Sequence, residues 1–366
     1  MVEFRKTVKK EGVEDRRPSA EAPGAAKFAF SARSGHKHAV IDRTAREIYL
    51  EGLALSAAVA EWAASDARAE FPLHEPLNTL VGDVTNRLAT DQAWALLSHC
   101  RASSEPHFLP AHSMNACILT SFIGMKMNLR DVQIEAVANI AFLHDIGLVR
   151  LPRSSDLCLH QTFNEYDLIT KAAPSWDCCP KPSPDYLESI KRHPLDSLKL
   201  IDAVGRIDDP SIALAAVDHH ERIDGSGYPN RKTATDLSLA GNILAVADTY
   251  LGITHKTAGG RGIEPFDAVR IISQLAGRKL SSEVTRAFLQ SMSIYPIGSG
   301  VRLNNGIIAR VIGANEKQLT KPVVMVVSAV GDSFSVDQII DLSREKLLFV
   351  REPVCLGPLD PVFNIG

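Results

Sequence analysis

Residues 134–147 read IEAVANIAFLHDIG, an apolar helical repeat that ends in a histidine and an aspartate. The apolar positions follow the period of an α-helix: Ile134, Val137, Ile140, Ala141 and Leu143. We expect this helix to deliver His144 and Asp145 just before Gly147, which is predicted to cap its C-terminus. A histidine and an aspartate side by side at a helix end can both point into one cavity.

Two neighbouring helices carry further histidines near their ends. One is predicted to start after Pro110, so that His112 lies in its first turn. The other, residues 186–192, leads into His193, where the following Pro194 favours an extended or turn conformation. Both histidines could therefore approach the same cavity as His144.

The next two predicted helices complete the set. Residues 212–217 present His219 and His220 just before a turn-rich segment, and a helix with residues 243–247 as its apolar body carries Asp248. The seven side chains with metal-binding atoms are His112, His144, Asp145, His193, His219, His220 and Asp248. Their placement predicts a site inside a helical bundle.

These residue types favour a metal centre. Imidazole nitrogens and carboxylate oxygens suit divalent iron, manganese or zinc, and an aspartate can bridge two ions that share an activated water. A lone histidine is more often structural. The adjacent pairs His144-Asp145 and His219-His220, however, can face one cavity only in irregular backbone. The natural chemistry of such a centre is hydrolysis of a phosphate ester.

The remaining histidines and the cysteines have simpler interpretations. We interpret as structural or surface residues His36, His38, His74, His99, His107, His160 and His255. We interpret as reduced thiols Cys100, Cys117, Cys158, Cys178, Cys179 and Cys355. A zinc cluster of His160 with three cysteines is an alternative, but the spacing matches no compact zinc motif and nearby prolines predict an irregular loop.

Composition excludes some classes of partner. The chain has 366 residues, is 45% apolar and carries a net charge of −3, so it offers no broad basic surface for duplex nucleic acid or an anionic membrane. No uninterrupted apolar run approaches the ~18 to 20 residues of a membrane span, and the N-terminus lacks the apolar stretch of a secretory signal. We therefore expect a cytoplasmic protein.

Changes in composition and in hydrophobic pattern along the sequence predict four regions. Residues 1–35 are predicted to be a flexible tail, and residues 36–104 an N-terminal helical region. Residues 105–296 hold all seven ligand candidates. Residues 297–366 are predicted to form a small β-rich module, because β-branched runs flank an Asn305-Gly306 turn. No internal repeats are found.

Several motifs together resemble the HD-GYP family of bacterial cyclic di-GMP phosphodiesterases, over roughly residues 105 to 295. They are His144-Asp145-Ile146-Gly147, Lys191-Arg192-His193-Pro194, His219-His220-Glu221-Arg222, Asp224-Gly225-Ser226-Gly227-Tyr228-Pro229 and Val246-Ala247-Asp248. The resemblance implies a mainly α fold of the HD superfamily. It also implies two divalent ions, iron or manganese rather than zinc, and hydrolysis of cyclic di-GMP to pGpG or GMP.

The resemblance also implies roles for individual residues. Asp145 would be the catalytic, bridging ligand, with a hydroxide between the two ions as the nucleophile. One ion would be held by His112, His144 and Asp248, and the other by His193, His219 and His220. A GYP loop of Asp224, Gly225, Gly227, Tyr228 and Pro229 would contact a guanine of the substrate or a partner such as a diguanylate cyclase domain.

The chain departs from the family pattern at four positions. Leu148 stands where members usually have a lysine for the substrate phosphate, and Thr257 and Gly260 replace two arginines. Phe108 replaces the glutamate that supports a third metal in some members, which favours two ions. Cations that bind phosphate are therefore fewer than usual, although every metal ligand is present.

A complete set of metal ligands with fewer phosphate-binding cations is compatible with three functions. The first is a working cyclic di-GMP phosphodiesterase. The second is a receptor or scaffold that binds metals and a cyclic dinucleotide with little turnover and acts through partners. The third is an HD-type hydrolase of another phosphate compound. The sequence leaves the metal, the product, the input signal and a homodimer open.

Overall fold

The computed structural model describes residues 43–65, 71, 73–90, 93–100, 108–151, 184–204, 210–254, 263–315, 318–330 and 333–354. The predicted tail, the proline-rich loop that contains His160, and the positions Thr257 and Gly260 lie outside these residues.

Three helices form the N-terminal part of the described chain: α1 (Ala45–Ala64), α2 (His74–Leu88) and α3 (Ala93–Leu97). Helix α1 begins with a capping box, in which the Thr44 hydroxyl accepts the backbone N–H of Glu47 and the Glu47 carboxylate accepts the backbone N–H of Thr44. This reciprocal pair satisfies two N–H groups that a helix start otherwise leaves without partners.

The remaining helices carry the ligand candidates between them. They are α4 (Phe108–Lys126), α5 (Asp131–Leu143), the 3₁₀ turn Ile146–Arg150, α6 (Pro184–Lys191), α7 (His193–Val204), α8 (Pro210–Ala213), α9 (Ala215–Asp218), α10 (Leu239–Thr254), α11 (Pro265–Leu275) and α12 (Ser282–Met292). Every residue of α10 from Ile243 onward is buried. A helix that is apolar on all sides belongs at the centre of a bundle, so Asp248 lies in the middle of the molecule.

One apolar cluster extends through most of this helical part, from Ala45 in α1 to Met292 in α12. It continues across the predicted boundary at residue 104, since α1 packs directly on α4. The stretch Asp131–Arg150 is long and apolar enough to cross a membrane by length and composition, but 67% of its most apolar window is buried inside the protein. It is accordingly a core segment that carries His144 and Asp145.

Local structure corrects three of the predicted details. His193 is the first residue of α7 rather than a residue in an extended or turn conformation, because a proline is tolerated in the first helical turn, where its missing N–H is not needed. Helix α4 begins at Phe108, before Pro110. Helix α5 ends at Leu143 with His144 as its C-cap, so Gly147 does not cap it.

Gly147 is instead required by close packing. A Cβ atom at this position would lie 2.5 Å from the carbonyl oxygen of His193 and 2.6 Å from the backbone nitrogen of Ser197. The backbone N–H of Gly147 donates to the Ser197 hydroxyl at 2.9 Å. The glycine therefore brings the chain that follows Asp145 against the start of α7, where His193 lies.

The C-terminal part is an antiparallel sheet of five strands in the order β4-β3-β2-β1-β5. The strands are β1 (Gly300–Leu303), β2 (Ile308–Gly313), β3 (Val323–Val330), β4 (Ser333–Asp341) and β5 (Val350–Val354). The predicted Asn305-Gly306 turn joins β1 to β2, with Gly306 at φ 89°, a conformation that favours glycine. The sheet contacts the helical part where Trp94 of α3 packs on Ile312, Val323 and Met325.

Candidate metal centre

The structure brings all seven ligand candidates together in one buried cluster. Each is at most 1% exposed. Their ligand atoms form two groups, and within each group these atoms lie within 4.8 Å of one another. The first group is His112, His144, Asp145 and Asp248, and the second is Asp145, His193, His219 and His220. Asp145 belongs to both groups, so its two carboxylate oxygens lie where two ions could share them.

In the first group the imidazoles face carboxylate oxygens. His112 Nε2 lies 3.0 Å from Asp248 Oδ1 and 3.4 Å from Asp145 Oδ2. His144 Nε2 lies 3.4 Å from Asp145 Oδ1. The two Nε2 atoms themselves are 3.3 Å apart. Nitrogen and oxygen donors from three helix segments therefore converge on one point.

The second group repeats this arrangement on the other side of Asp145. Asp145 Oδ1 lies 3.1 Å from His193 Nε2 and 3.4 Å from His219 Nε2. His220 Nδ1 lies 3.6 Å from Asp248 Oδ2. Neither ring nitrogen of His220 has a hydrogen-bond partner within the part of the chain that the structure describes. A buried polar group normally has one, and a metal ion would satisfy it.

The same kind of hydrogen bond to the backbone orients the rings of three histidines. The ring Nδ1–H donates to the carbonyl three residues earlier: His144 to Ala141 at 2.7 Å, His193 to Ile190 at 2.6 Å, and His219 to Ala216 at 2.8 Å. Carbonyls in the last turn of a helix have no partner within the helix, so the following histidine satisfies one of them. The bond leaves Nε2 as the ligand atom and fixes the ring.

This hydrogen bond makes the pair His193 and His219 a strong indication of a cation. Both rings use Nδ1–H for a backbone bond, so each Nε2 presents its lone pair. These two Nε2 atoms are only 3.2 Å apart. Two lone pairs at this distance repel unless a positive charge lies between them. The donor set and its spacing thus fit a divalent cation in each group.

The pKa shifts of four ligand candidates suit ligation, whereas that of His144 opposes it. Burial lowers the pKa of His112, His219 and His220, which keeps these imidazoles neutral. Burial acts to raise the pKa of Asp248, but hydrogen bonds from His112 and His144 hold it well below its usual range. Burial acts to lower the pKa of His144, yet Asp145 and Asp248 outweigh it and raise the pKa to about 9. Ligand carboxylates and imidazoles must be free of protons to bind a metal.

Two of the other histidines lie within the described residues, and both form hydrogen bonds outside the metal centre. His74 Nε2 contacts the carbonyl of Val204 at 2.5 Å, and His99 Nδ1 contacts the carbonyl of Ala95 at 2.7 Å. These contacts agree with the structural role that the sequence predicts for them. Cys100 and Cys117 are free thiols.

The sequence of this chain is similar to those of known proteins. The family described as "HD domain" matches residues 181–284. A cyclic di-GMP phosphodiesterase of Pseudomonas aeruginosa, PA4108, is 27% identical over 255 residues, which cover 68% of this chain and 55% of the relative. The cyclic di-GMP phosphodiesterase PdeB of Borreliella burgdorferi is 25% identical, over 58% of this chain and 50% of the relative. The chain thus spans about half the length of the curated relatives it matches.

The HD domain match, these relatives and the joined HD and GYP signatures confirm the predicted resemblance to the HD-GYP family. Among solved structures, the HDGYP protein Bd1817 of Bdellovibrio bacteriovorus is 16% identical with a TM-score of 0.49, over 67% of this chain and 70% of that chain. Residues 300–356 match a family described as "KOW domain associated with HD domain", which corresponds to the five-stranded sheet.

The GYP loop is folded back onto the candidate metal centre. The Tyr228 side chain is only 8% exposed, and its ring stacks on His220 with 4.6 Å between ring centroids. Its backbone N–H donates to the carbonyl of His220 at 3.2 Å. Tyr228 therefore packs against a ligand candidate, and little of its side chain is exposed. Asp224 and Ser226, by contrast, are exposed.

Glu221 anchors the loop, and this role was missed at the sequence level. Its buried carboxylate accepts the backbone N–H groups of Asn230 at 2.6 Å and Lys232 at 3.0 Å. Gly227 packs so closely that a Cβ would lie 2.4 Å from Glu221 Cα. Gly225, at φ 76°, occupies the left-handed region that favours glycine. Gly225 thus permits the turn of the loop. Gly227 permits the close approach of the loop to the segment that contains His219 and His220.

Arg222 is the second supporting residue that sequence patterns missed. It is among the largest fully buried side chains of the described chain, with 0% exposure. The one available signal was its position directly after His219-His220-Glu221, in a segment without helical period. Leu148, at the position of the usual lysine, is also buried, at 3% exposure.

Proposed function

We propose that this chain hydrolyses a phosphodiester bond of a cyclic dinucleotide at a centre of two divalent cations, with cyclic di-GMP as the first substrate to test. The observation that carries the proposal is the shared Asp145, which joins two groups of ligand atoms. The relatives named as cyclic di-GMP phosphodiesterases support the substrate. A pair of ions that share one carboxylate is the arrangement used in many phosphate-transfer sites.

The roles of the residues follow from the contacts. His112, His144 and Asp248 would hold one cation, His193, His219 and His220 the other, and Asp145 both. Two bound cations would supply an activated water and neutralise the charge on the phosphate. The backbone carbonyls of Ala141, Ile190 and Ala216 hold three imidazole rings in place before any substrate arrives. This preorganisation limits the rearrangement that the reaction requires.

We further propose iron or manganese ahead of zinc. The donors are imidazole nitrogens and carboxylate oxygens, with no thiolate among the described residues of the cluster. Such donors suit iron and manganese as well as zinc, and the resemblance to the HD-GYP family favours the first two. Metal analysis of protein purified without added metal tests this choice.

The direct experiment is an incubation of the metal-loaded protein with cyclic di-GMP and, separately, with pGpG, followed by chromatography of the products. We expect linear pGpG or GMP from the wild type and none from Asp145→Asn. Asp267→Asn is the matched control, because Asp267 is an exposed carboxylate in a surface ion pair with Arg270 and such pairs contribute little. Absence of product from a protein that holds two metals would contradict the enzyme proposal.

The buried Leu148 favours a second function, a receptor that binds the cyclic dinucleotide with little turnover. A leucine cannot donate the charge-assisted hydrogen bond of a lysine, worth about 1.5 to 3 kcal/mol. In that case nucleotide binding without turnover is the expected result of the same incubation. A contact with diguanylate cyclase domains would then use the exposed loop residues Asp224 and Ser226. The cytoplasmic location and the homodimer stay predictions.

A further inference from the structure

A buried guanidinium connects the two halves of the metal centre. Arg222 follows His219-His220-Glu221 and is fully buried. Its Nη1 donates to the carbonyl of His219 at 3.1 Å and to the carbonyl of Glu221 at 2.8 Å. Its Nη2 donates to the Thr249 hydroxyl at 3.1 Å. One side chain therefore bonds the segment of His219 and His220 to helix α10.

Thr249 is well placed to receive this bond. Its hydroxyl donates to the carbonyl of Ala245 at 2.7 Å, which turns an oxygen lone pair toward Arg222. Thr249 directly follows Asp248, whose Oδ1 lies 3.0 Å from His112 Nε2. The bond from Arg222 to Thr249 thus joins the backbone of second-group ligands to the neighbour of a first-group ligand.

We propose that Arg222 is a positioning residue, which sets the spacing between the two groups of ligands through Thr249. The inference rests on the proposed two-cation function. A guanidinium is planar and presents several N–H donors in a fixed fork, so it can serve two carbonyls and a hydroxyl at once. A lysine ammonium cannot reproduce this geometry. Burial of a charge is costly. A buried arginine at position 222 is therefore expected to have a specific role.

The GYP loop adds a second constraint on the same residue. A Cβ at Gly227 would lie 2.4 Å from the backbone nitrogen of Arg222, so the loop packs directly on it. The ring of Tyr228 stacks on His220. Arg222 therefore lies between the loop and α10, with its side chain on the α10 side.

The variant Thr249→Val tests this role with little change of shape, since it replaces the hydroxyl that accepts from Arg222 with a methyl group. Thr249→Ser should restore the bond. Thr254→Val is the matched control, because the Thr254 hydroxyl also donates to the carbonyl four residues earlier in α10, that of Tyr250, at 2.9 Å. Arg222→Lys completes the set.

The measurement is titration of each metal-free protein with Mn²⁺, followed by electron paramagnetic resonance, together with thermal unfolding of the metal-free form. We expect two Mn²⁺ with a spin-coupled signal in the wild type, Thr249→Ser and Thr254→Val. In Thr249→Val and Arg222→Lys we expect Mn²⁺ affinity to fall about tenfold or more, as for other residues that orient metal ligands, with loss of the coupled signal.

Three other outcomes separate the positioning role from the proposed function. If Thr249→Val lowers the unfolding temperature of the metal-free protein but binds two Mn²⁺ with wild-type affinity and signal, the positioning role is wrong and Arg222 is a packing residue. If the wild type itself binds fewer than two Mn²⁺, the proposed function fails and takes the positioning role with it. Loss of Mn²⁺ affinity in Thr254→Val equal to that in Thr249→Val would also overturn the positioning role.

Discussion

The middle of the helical part and the middle of the C-terminal sheet are built from opposite kinds of side chain. In the helical part, seven ionisable ligand candidates are at most 1% exposed. In the sheet, the interior is an apolar cluster: Val301, Leu303, Ala309, Val311, Val324, Ile340, Leu342 and Val350.

This difference separates function from stability. Burying polar groups costs free energy unless they are paired, so a cluster of carboxylates and imidazoles is retained for what it binds. Apolar burial needs no such reason, because it stabilises the fold directly. Substitutions in the first region should therefore change metal binding and turnover, and substitutions in the second should change stability alone.

The largest expected effect is on turnover. Asp145→Asn removes the carboxylate that belongs to both groups, and metal ions contribute several kcal/mol to the stabilisation of the transition state. Since about 1.4 kcal/mol is a factor of ten, we expect the rate of cyclic di-GMP hydrolysis to fall roughly 1,000-fold. Initial rates at saturating substrate provide the measurement. A variant with more than a tenth of the wild-type rate would contradict the shared role.

Removal of divalent cations should destabilise the helical part. A ligand that binds only the folded state, at a hundred times its Kd, stabilises that state by about 2.7 kcal/mol. We expect a chelator to lower the unfolding temperature of the wild type. The unfolding temperature of Asp145→Asn should not change. Differential scanning calorimetry of both proteins measures the shift. An equal shift in both would mean that the cations act at another place.

A truncation in the sheet provides the opposite case. Val311→Ala removes two buried carbon atoms at a position with 0% exposure, which costs about 2 kcal/mol including the cavity. We expect lower stability in urea with unchanged metals per chain. Val132→Ala, at 63% exposure, is the control with almost no effect. Loss of metal in Val311→Ala would break the separation between the two regions.

The smallest effect is expected at the edge of the centre. Leu148→Lys restores the cation that the HD-GYP resemblance places there, and a charge-assisted hydrogen bond is worth about 1.5 to 3 kcal/mol. Part of this gain is lost because position 148 is buried, so we expect about tenfold tighter binding of cyclic di-GMP. Isothermal titration in the Asp145→Asn background measures it without turnover. Unchanged affinity would show that the missing lysine does not limit binding.

Much of the fold could be predicted because it rests on local patterns. The apolar period of residues 134–143 predicts α5, and the apolar run before Asp248 predicts α10. The Asn305-Gly306 turn predicts the hairpin of β1 and β2. Each of these signals depends on neighbouring residues alone.

The errors and omissions have tertiary causes. The sequence predicts Gly147 as a helix cap, but the close approach of α7 is what requires this glycine. The sequence favours an extended or turn conformation at His193, but this residue begins α7. The roles of Arg222 and Glu221 depend on contacts with α10 and the GYP loop, and no periodic pattern records such contacts. The sequence could therefore name the ligand candidates without the residues that hold them.

The central claim is that Asp145 joins two cation sites, and counting the ions tests it most directly. Metal-free wild type, Asp145→Asn and Asp267→Asn are dialysed to equilibrium against Mn²⁺, and bound manganese per chain is determined by elemental analysis. The account predicts two ions in the wild type and in Asp267→Asn, and loss of tight binding at both sites in Asp145→Asn. Two tightly bound ions in Asp145→Asn would contradict it.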